Sequence, residues 1–190
     1  VVEKDCGQYD TVTEVMWVTG AALFIRLADY REVGGLDGHF FAHMEEIDLC
    51  WRLRSRGKKL VCIPQSVVYH VGGATLKKEN PRKTFLNFRN NLLMLYKNLP
   101  DKELEHVLFI RGILDRVAAL VFYLKKDRAN ARAVMQARRE FEDIRYSFAA
   151  SRIENIMKST DEMIPERTHF SILMKYYLLG KKHFSQLKLF

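Results

Sequence analysis

The sequence is poor in the residues on which disulfide-rich, fibrous and membrane-spanning proteins depend. It has only three cysteines in 190 residues, so we expect no disulfide framework and a reducing, cytoplasmic setting. Its four prolines and ten glycines exclude collagen-like or linker-like character. No run reaches the roughly 20 apolar residues that a membrane-spanning helix needs. The best candidate, residues 104–124, is interrupted by four charged side chains.

Acidic residues are also outnumbered, since 31 Lys and Arg face 23 Asp and Glu, giving a formal net charge of +8. Such an excess suits phosphates in nucleotides or on an anionic lipid surface, and it is equally common on an ordinary solvated face. No zinc-finger, helix-turn-helix or RNA-binding signature is present, so we expect no nucleic-acid partner. A hydrophobic fraction of 48% indicates a globular chain of one ordinary domain or two small ones.

The two halves of the sequence differ in pattern. Residues 1–76 consist of short apolar runs broken by Gly, Pro and Asp, whereas residues 80–190 have the periodicity of helices. We predict strands at 15–25, 60–63 and 66–71 and helices at 43–56, 82–99, 101–126, 129–158 and 171–179. Gly57 is placed to end the first of these helices, and Asp101 to cap the third.

Three carboxylates, Glu45, Glu46 and Asp48, fall within four positions at the start of a predicted helix. Such a cluster can hold a metal or supply a general base, because neighbouring negative charges raise the pKa of a carboxyl group. Acids in a first helical turn also match the helix dipole without any function, and Asp48 can pair with Arg52 four residues later. His39 and His43 have a zinc-like spacing, but no third ligand is evident.

Seven short features follow one another in an order that is more specific than any one of them. They are residues 17–26 (WVTGAALFIR), 33–37 (VGGLD), Phe40-Phe41, 45–52 (EEIDLCWR), Gly57, Pro64 and 70–73 (HVGG). This set closely resembles the C-terminal half of family 2 glycosyltransferases of the GT-A fold, and it looks most like the bacterial rhamnosyltransferase-like branch. The resemblance covers about residues 9–100 and extends more loosely over the helical tail.

The resemblance implies an α/β fold in which residues 1–100 form the C-terminal, acceptor-side half of a GT-A catalytic domain and residues 101–190 a helical extension. In that family a nucleotide-binding half with an Asp-x-Asp-type motif comes first, and residues 1–17 contain no such motif. We therefore expect a partial GT-A fold that lacks most of its donor site and parallel sheet and is inactive alone. Apolar surface left open would favour a homo-oligomer.

The resemblance also implies roles for individual residues. Glu46 occupies the place of the general base, although the family has Asp there, and Glu45 or Asp48 could take the role instead. Trp17, Gly20 and Arg52 match substrate-binding positions. His70 matches a ligand of the divalent metal (Mg²⁺ or Mn²⁺) that neutralises the nucleotide diphosphate, expected only with the complete donor site.

The function implied is inverting transfer of a sugar from a nucleoside-diphosphate sugar to a growing cell-surface polysaccharide or lipid-linked glycan. The alternative is a non-catalytic docking or membrane-surface module derived from such an enzyme. The basic and aromatic helical tail can lie on the inner face of an anionic membrane, or it can simply pack on the catalytic core.

Overall fold

Helices dominate the computed structural model, which describes residues 3–70, 80–160, 164–168 and 171–187. The helices are α1 Leu27–Glu32, α2 Glu45–Ser55, α3 Pro81–Asn98, α4 Asp101–Leu124, α5 Arg128–Ile144, α6 Ala149–Met157 and α7 Ile172–Tyr177. Strands β1 Thr13–Glu14 and β2 Val61–Cys62 pair antiparallel, with Thr13 opposite Cys62. Within the described ranges these two strands form the only sheet.

Helices α2, α3 and α4 begin and end within two residues of the predicted bounds. Helix α2 carries its acids in the first turn and Arg52 and Arg54 in the last, as the helix dipole favours. Gly57 follows it with φ of +75°, a left-handed conformation that glycine adopts without strain. Helix α3 begins with proline in its first turn, and the side chain of Asn80 accepts a hydrogen bond from the backbone N–H of Arg82.

Other predicted elements are wrong or divided. No strand forms over residues 15–25, where a 3₁₀ turn at Gly20–Ala22 is followed by α1, because no neighbouring strand is in place to complete a ladder there. The described part of 66–71 is likewise not a strand. The helix predicted at 129–158 is divided by a 3₁₀ turn, Arg145–Phe148, in which the Ser147 hydroxyl donates to the Ile144 carbonyl. Asp101 makes no capping bond and instead pairs with Arg152.

A continuous core joins the two parts that the sequence divides at residue 100. Its largest cluster of buried side chains includes Phe40, Trp51, Leu92, Leu93, Leu104, Leu108, Phe141, Phe148 and Ile164. A second cluster, with Val33, Leu49, Cys50, Leu53 and Leu60, lies against another side of α2. Helix α2 thus packs on α3 on one side and on the first 60 residues on the other. The division into domains at 1–100 and 101–190 stays a prediction.

Several large apolar side chains of the first part remain exposed, among them Phe24 (90%), Ile63 (52%), Val67 (68%) and Tyr69 (96%). This surface agrees with the apolar face expected there, and self-association through it stays a prediction. None of the helices in the described segments is both long enough and apolar enough to cross a bilayer. The three cysteines carry free thiols, two of them exposed and Cys50 buried.

Candidate functional site

A strained loop leads into α2. Phe41, His43 and Met44 have φ values of 62°, 70° and 74°, a region that non-glycine residues rarely adopt. Each such residue costs on the order of 1–3 kcal/mol and persists only when the surroundings hold it in place. Helix α2 therefore begins at Glu45 without a side-chain cap at Met44.

Asn90 of α3 holds this loop. Its completely buried amide donates to the carbonyl oxygens of Phe40, Ala42 and His43 at 2.8, 2.8 and 2.9 Å, so one of its two N–H groups is shared between two carbonyls. Arg89 adds a bond to the His39 carbonyl at 3.0 Å. These contacts satisfy backbone groups that the strained loop leaves outside regular structure, and they fix the direction of the first turn of α2.

Three polar side-chain atoms at the start of α2 are buried without a hydrogen-bond partner: His43 Nε2, Glu45 Oε2 and Glu46 Oε2. Buried polar atoms are nearly always paired, so these three orphans mark a place where a water molecule or a ligand can complete the bonding. A Cβ built on Gly20 would lie 3.9 Å from Glu46 Cβ. Gly20 thus leaves the approach beside Glu46 open, as a residue without a side chain can.

The environment makes Glu46 a better base than an ordinary glutamate. Burial raises its pKa, and the neighbouring charge of Glu45 raises it further. The backbone N–H of Glu46 and the nearby His43 act in the opposite direction without reversing the change. A carboxylate with a raised pKa accepts a proton more readily near neutral pH.

Asp48 lies only two positions further, but it is completely buried and fully bonded. Its carboxylate contacts Arg52 Nη2 at 2.8 Å, Lys97 Nζ at 3.0 Å and Asn98 Nδ2 at 2.8 Å. The predicted pairing of Asp48 with Arg52 is confirmed. An acceptor hydroxyl could reach this carboxylate only by displacing those partners.

Arg52 is buried as well, and its guanidinium faces the Gly-Gly turn. It donates to the Gly35 carbonyl at 2.8 Å and to the Val33 carbonyl. Lys97 extends the contacts, because its ammonium also meets Asp37 at 2.7 Å. We call Asp37, Asp48, Arg52 and Lys97 the buried ion network, which ties the turn at 33–37 to α2 and α3.

Asp37 caps the 3₁₀ turn Gly38–Phe40 by accepting a hydrogen bond from the His39 N–H, and so it orients the loop. Burial on its own would raise the pKa of Asp37, but the hydrogen bond and charge of Lys97, helped by His39, lower it to about 2.

This shift predicts a loss of stability in acid. Stability from the depressed pKa is complete above the ordinary value of 3.8 and disappears as the pH falls through about 2. We expect Asp37→Asn to lower the free energy of unfolding by about 1–2 kcal/mol above pH 5, discounted because the carboxyl is partly solvated. Urea unfolding of the wild-type protein and of Asp37→Asn, between pH 2 and pH 7, measures this difference in the free energy of unfolding. A deficit in the variant that stays constant down to pH 2 would contradict the assignment.

The other predicted site residues lie at the edge of the candidate site or away from it. Trp17 is 46% exposed in the segment before Gly20. His70 is exposed at the end of the first described range, and no contact joins it to the carboxylates within the described ranges. Gly72 and Gly73 of the segment 70–73 lie outside the described residues. The described residues contain no group of three His, Cys, Asp or Glu side chains that could hold a metal ion.

The sequence alone does not predict the part that two residues take in this cluster. It suggests His43 only as one of a zinc-like pair with His39, and it suggests no role for Asn90. A signal for Asn90 did exist, since it is a polar residue close to the apolar positions Phe88 and Leu92 on α3. Its role still depends on carbonyl groups nearly 50 residues away, which spacing does not reveal.

The chain is similar, over part of its length, to several known glycosyltransferases. The chain is 33% identical over 69 residues (36% of this chain) to rhamnosyltransferase WbbL of Escherichia coli and 31% identical over 141 residues (68% of this chain) to pre-mycofactocin glycosyltransferase of Mycobacterium tuberculosis. It is 38% identical over 56 residues (30% of this chain) to N-acetylglucosaminyl-diphospho-decaprenol L-rhamnosyltransferase, also of Mycobacterium tuberculosis.

The matches cover 25%, 29% and 18% of those three relatives, respectively, so the chain spans less than a third of each. No family model and no solved structure matches the chain. The names of the relatives support a relationship to glycosyltransferases.

Proposed function

We propose that this chain forms the acceptor-side part of an inverting glycosyltransferase, with Glu46 as the general base. The observation that carries the proposal is the set of unpartnered atoms His43 Nε2, Glu45 Oε2 and Glu46 Oε2, with Gly20 next to Glu46. The named relatives supply the class of reaction. The donor would be a nucleoside-diphosphate sugar and the acceptor a hydroxyl of a cell-surface or lipid-linked glycan.

In this reaction the acceptor oxygen bonds to the anomeric carbon as the bond from that carbon to the diphosphate breaks. Glu46 takes the hydroxyl proton, so the attacking oxygen need not become a free alkoxide. His43 Nε2 is available to hydrogen-bond the acceptor at the same place. The buried ion network acts on position rather than chemistry, because Asp48 and Arg52 are already fully engaged.

The resemblance to glycosyltransferases also implies a divalent metal. Such a metal would neutralise charge on the leaving diphosphate. His70 is its expected ligand, but the described residues offer no set of ligands around it. The described residues do not fit a metal centre, so no step is assigned to one.

Transfer itself is tested with the gene product that carries this sequence. It is incubated with nucleoside-diphosphate sugars and a glycan acceptor, and released nucleoside diphosphate and extended glycan are measured together. Glycan extension in step with nucleotide release supports the proposal. If the protein binds glycan but releases no nucleotide with any donor, the docking-module alternative is favoured.

A change at Glu45 should move the pH profile. Because the charge of Glu45 raises the pKa of Glu46, Glu45→Gln should shift the acidic limb of kcat/KM to lower pH. Above that limb, we expect turnover to change by less than about tenfold, since the base itself is intact. Steady-state rates between pH 4 and 8 measure the shift. An acidic limb that stays in place would mean that Glu46 is not the group titrating.

A further inference from the structure

Most of the net positive charge of this protein lies in one helical hairpin. Residues 116–139, which cover the end of α4, the turn and most of α5, contain seven basic residues and one acidic residue. Their net charge of +6 is three quarters of the +8 of the whole chain. The single acid, Asp127, is occupied as the cap of α5, accepting from the Asn130 N–H at 3.0 Å.

The same hairpin exposes large apolar side chains. On α4 these are Val117 (51%), Leu120 (55%), Val121 (43%) and Leu124 (71%), spaced so that they share one helical face. Tyr123 beside them is 55% exposed, and Arg128 lies over its ring at 5.9 Å. The opposite side of α4 is buried, so this outward face is a second apolar surface in addition to the core.

Arg138 of the hairpin is paired with a buried acid. It contacts Asp115 at 2.9 Å, as does Arg111, which precedes the hairpin on α4. In contrast, no carboxylate in the described part of the chain pairs with Arg132 or Arg139.

Those two free arginines line an open groove between α4 and α5, together with Leu120 and Tyr123. Of the two acids in the groove, Glu140 is paired with Arg89 at 2.7 Å, and Asp143 lies near the end of α5. The groove therefore combines unpaired positive charge with apolar surface.

We propose that this face of the α4–α5 hairpin rests on an anionic lipid bilayer. Exposed aliphatic side chains can enter the boundary between headgroups and acyl chains, while Arg and Lys meet anionic headgroups. A second copy docked through the same face would bring like charges together, which opposes association. Nucleic acid would use the arginines but would leave the Leu and Val side chains exposed to water. This surface is independent of the proposed sugar transfer.

Vesicle flotation of the full chain tests the proposal. The probes are phosphatidylcholine vesicles with and without phosphatidylglycerol, at low and high salt. We expect flotation with the anionic vesicles at low salt and a large decrease at high salt. Arg132→Glu/Arg139→Glu should weaken the partition about tenfold or more, and Leu120→Glu/Leu124→Glu should also weaken it.

The matched control is Lys4→Glu/Arg31→Glu, which makes the same charge change at exposed residues outside the hairpin. It should retain most of the binding, and circular dichroism checks that all variants fold. Equal losses in the control and the hairpin variants would overturn the proposal, as would anionic vesicles that fail to float the wild-type chain. So would a dimer, without lipid, that Leu120→Glu/Leu124→Glu converts to monomer, because a second copy would then cover this face.

Discussion

Glu46→Gln should lower turnover by about 10²–10⁴-fold, the usual contribution of a general base. The amide keeps nearly the same shape but cannot accept the acceptor's proton. One oxygen of Glu46 is buried without a partner, and the bond from its own backbone N–H is one that the amide oxygen of Gln can still accept. The fold and donor affinity should therefore remain, and removing a half-buried carboxylate with a raised pKa should not lower stability.

Two comparison variants make the result specific. Glu142→Gln changes an exposed carboxylate on α5 and should leave turnover unchanged. Glu46→Asp keeps the carboxylate but withdraws it by one methylene, so it should retain more activity than Glu46→Gln. Nucleotide release gives kcat, and calorimetry gives donor affinity. Full turnover in Glu46→Gln would show that Glu46 is not the base and would make Glu45 the next candidate.

Local pattern was sufficient for the helices around this site. The acids and bases of α2, Gly57 after it, and Pro81 at the start of α3 are signals read from neighbouring residues, and the structure agrees with them. Local pattern failed over residues 15–25. An apolar run becomes a strand only if another strand lies beside it, and the described chain supplies just the short β1–β2 pair.

The site itself was predictable in place but not in the division of roles. The spacing of Glu45, Glu46 and Asp48 predicts a cluster of three acids but does not distinguish which of them is the base. The structure separates them, because Lys97 and Asn98 on α3 reach Asp48 while Glu45 and Glu46 keep unpaired oxygens. Those α3 partners lie about 50 residues away in sequence, and no periodicity encodes such contacts.

Asp48→Asn should lower the free energy of unfolding by about 3–5 kcal/mol, because it breaks a buried ion pair on one side only. The amide leaves the buried guanidinium of Arg52 without its carboxylate partner and leaves Lys97 with Asp37 alone. Asp143→Asn, an exposed change of the same chemistry on α5, should stay within about 0.5 kcal/mol of wild type. Urea unfolding followed by circular dichroism measures both variants.

A double-mutant cycle isolates the pair. Lys97→Met alone should also destabilise strongly, because it leaves Asp37 and Asp48 without their shared ammonium. The loss of unfolding free energy in Asp48→Asn/Lys97→Met should be about 1–3 kcal/mol smaller than the sum of the two single losses. Each substitution removes the buried charge that the other would leave unpaired. Turnover per folded molecule should fall far less in Asp48→Asn than in Glu46→Gln. If Asp48→Asn is as stable as wild type yet inactive, the chemistry lies at Asp48 and the positioning role assigned to the buried ion network is wrong.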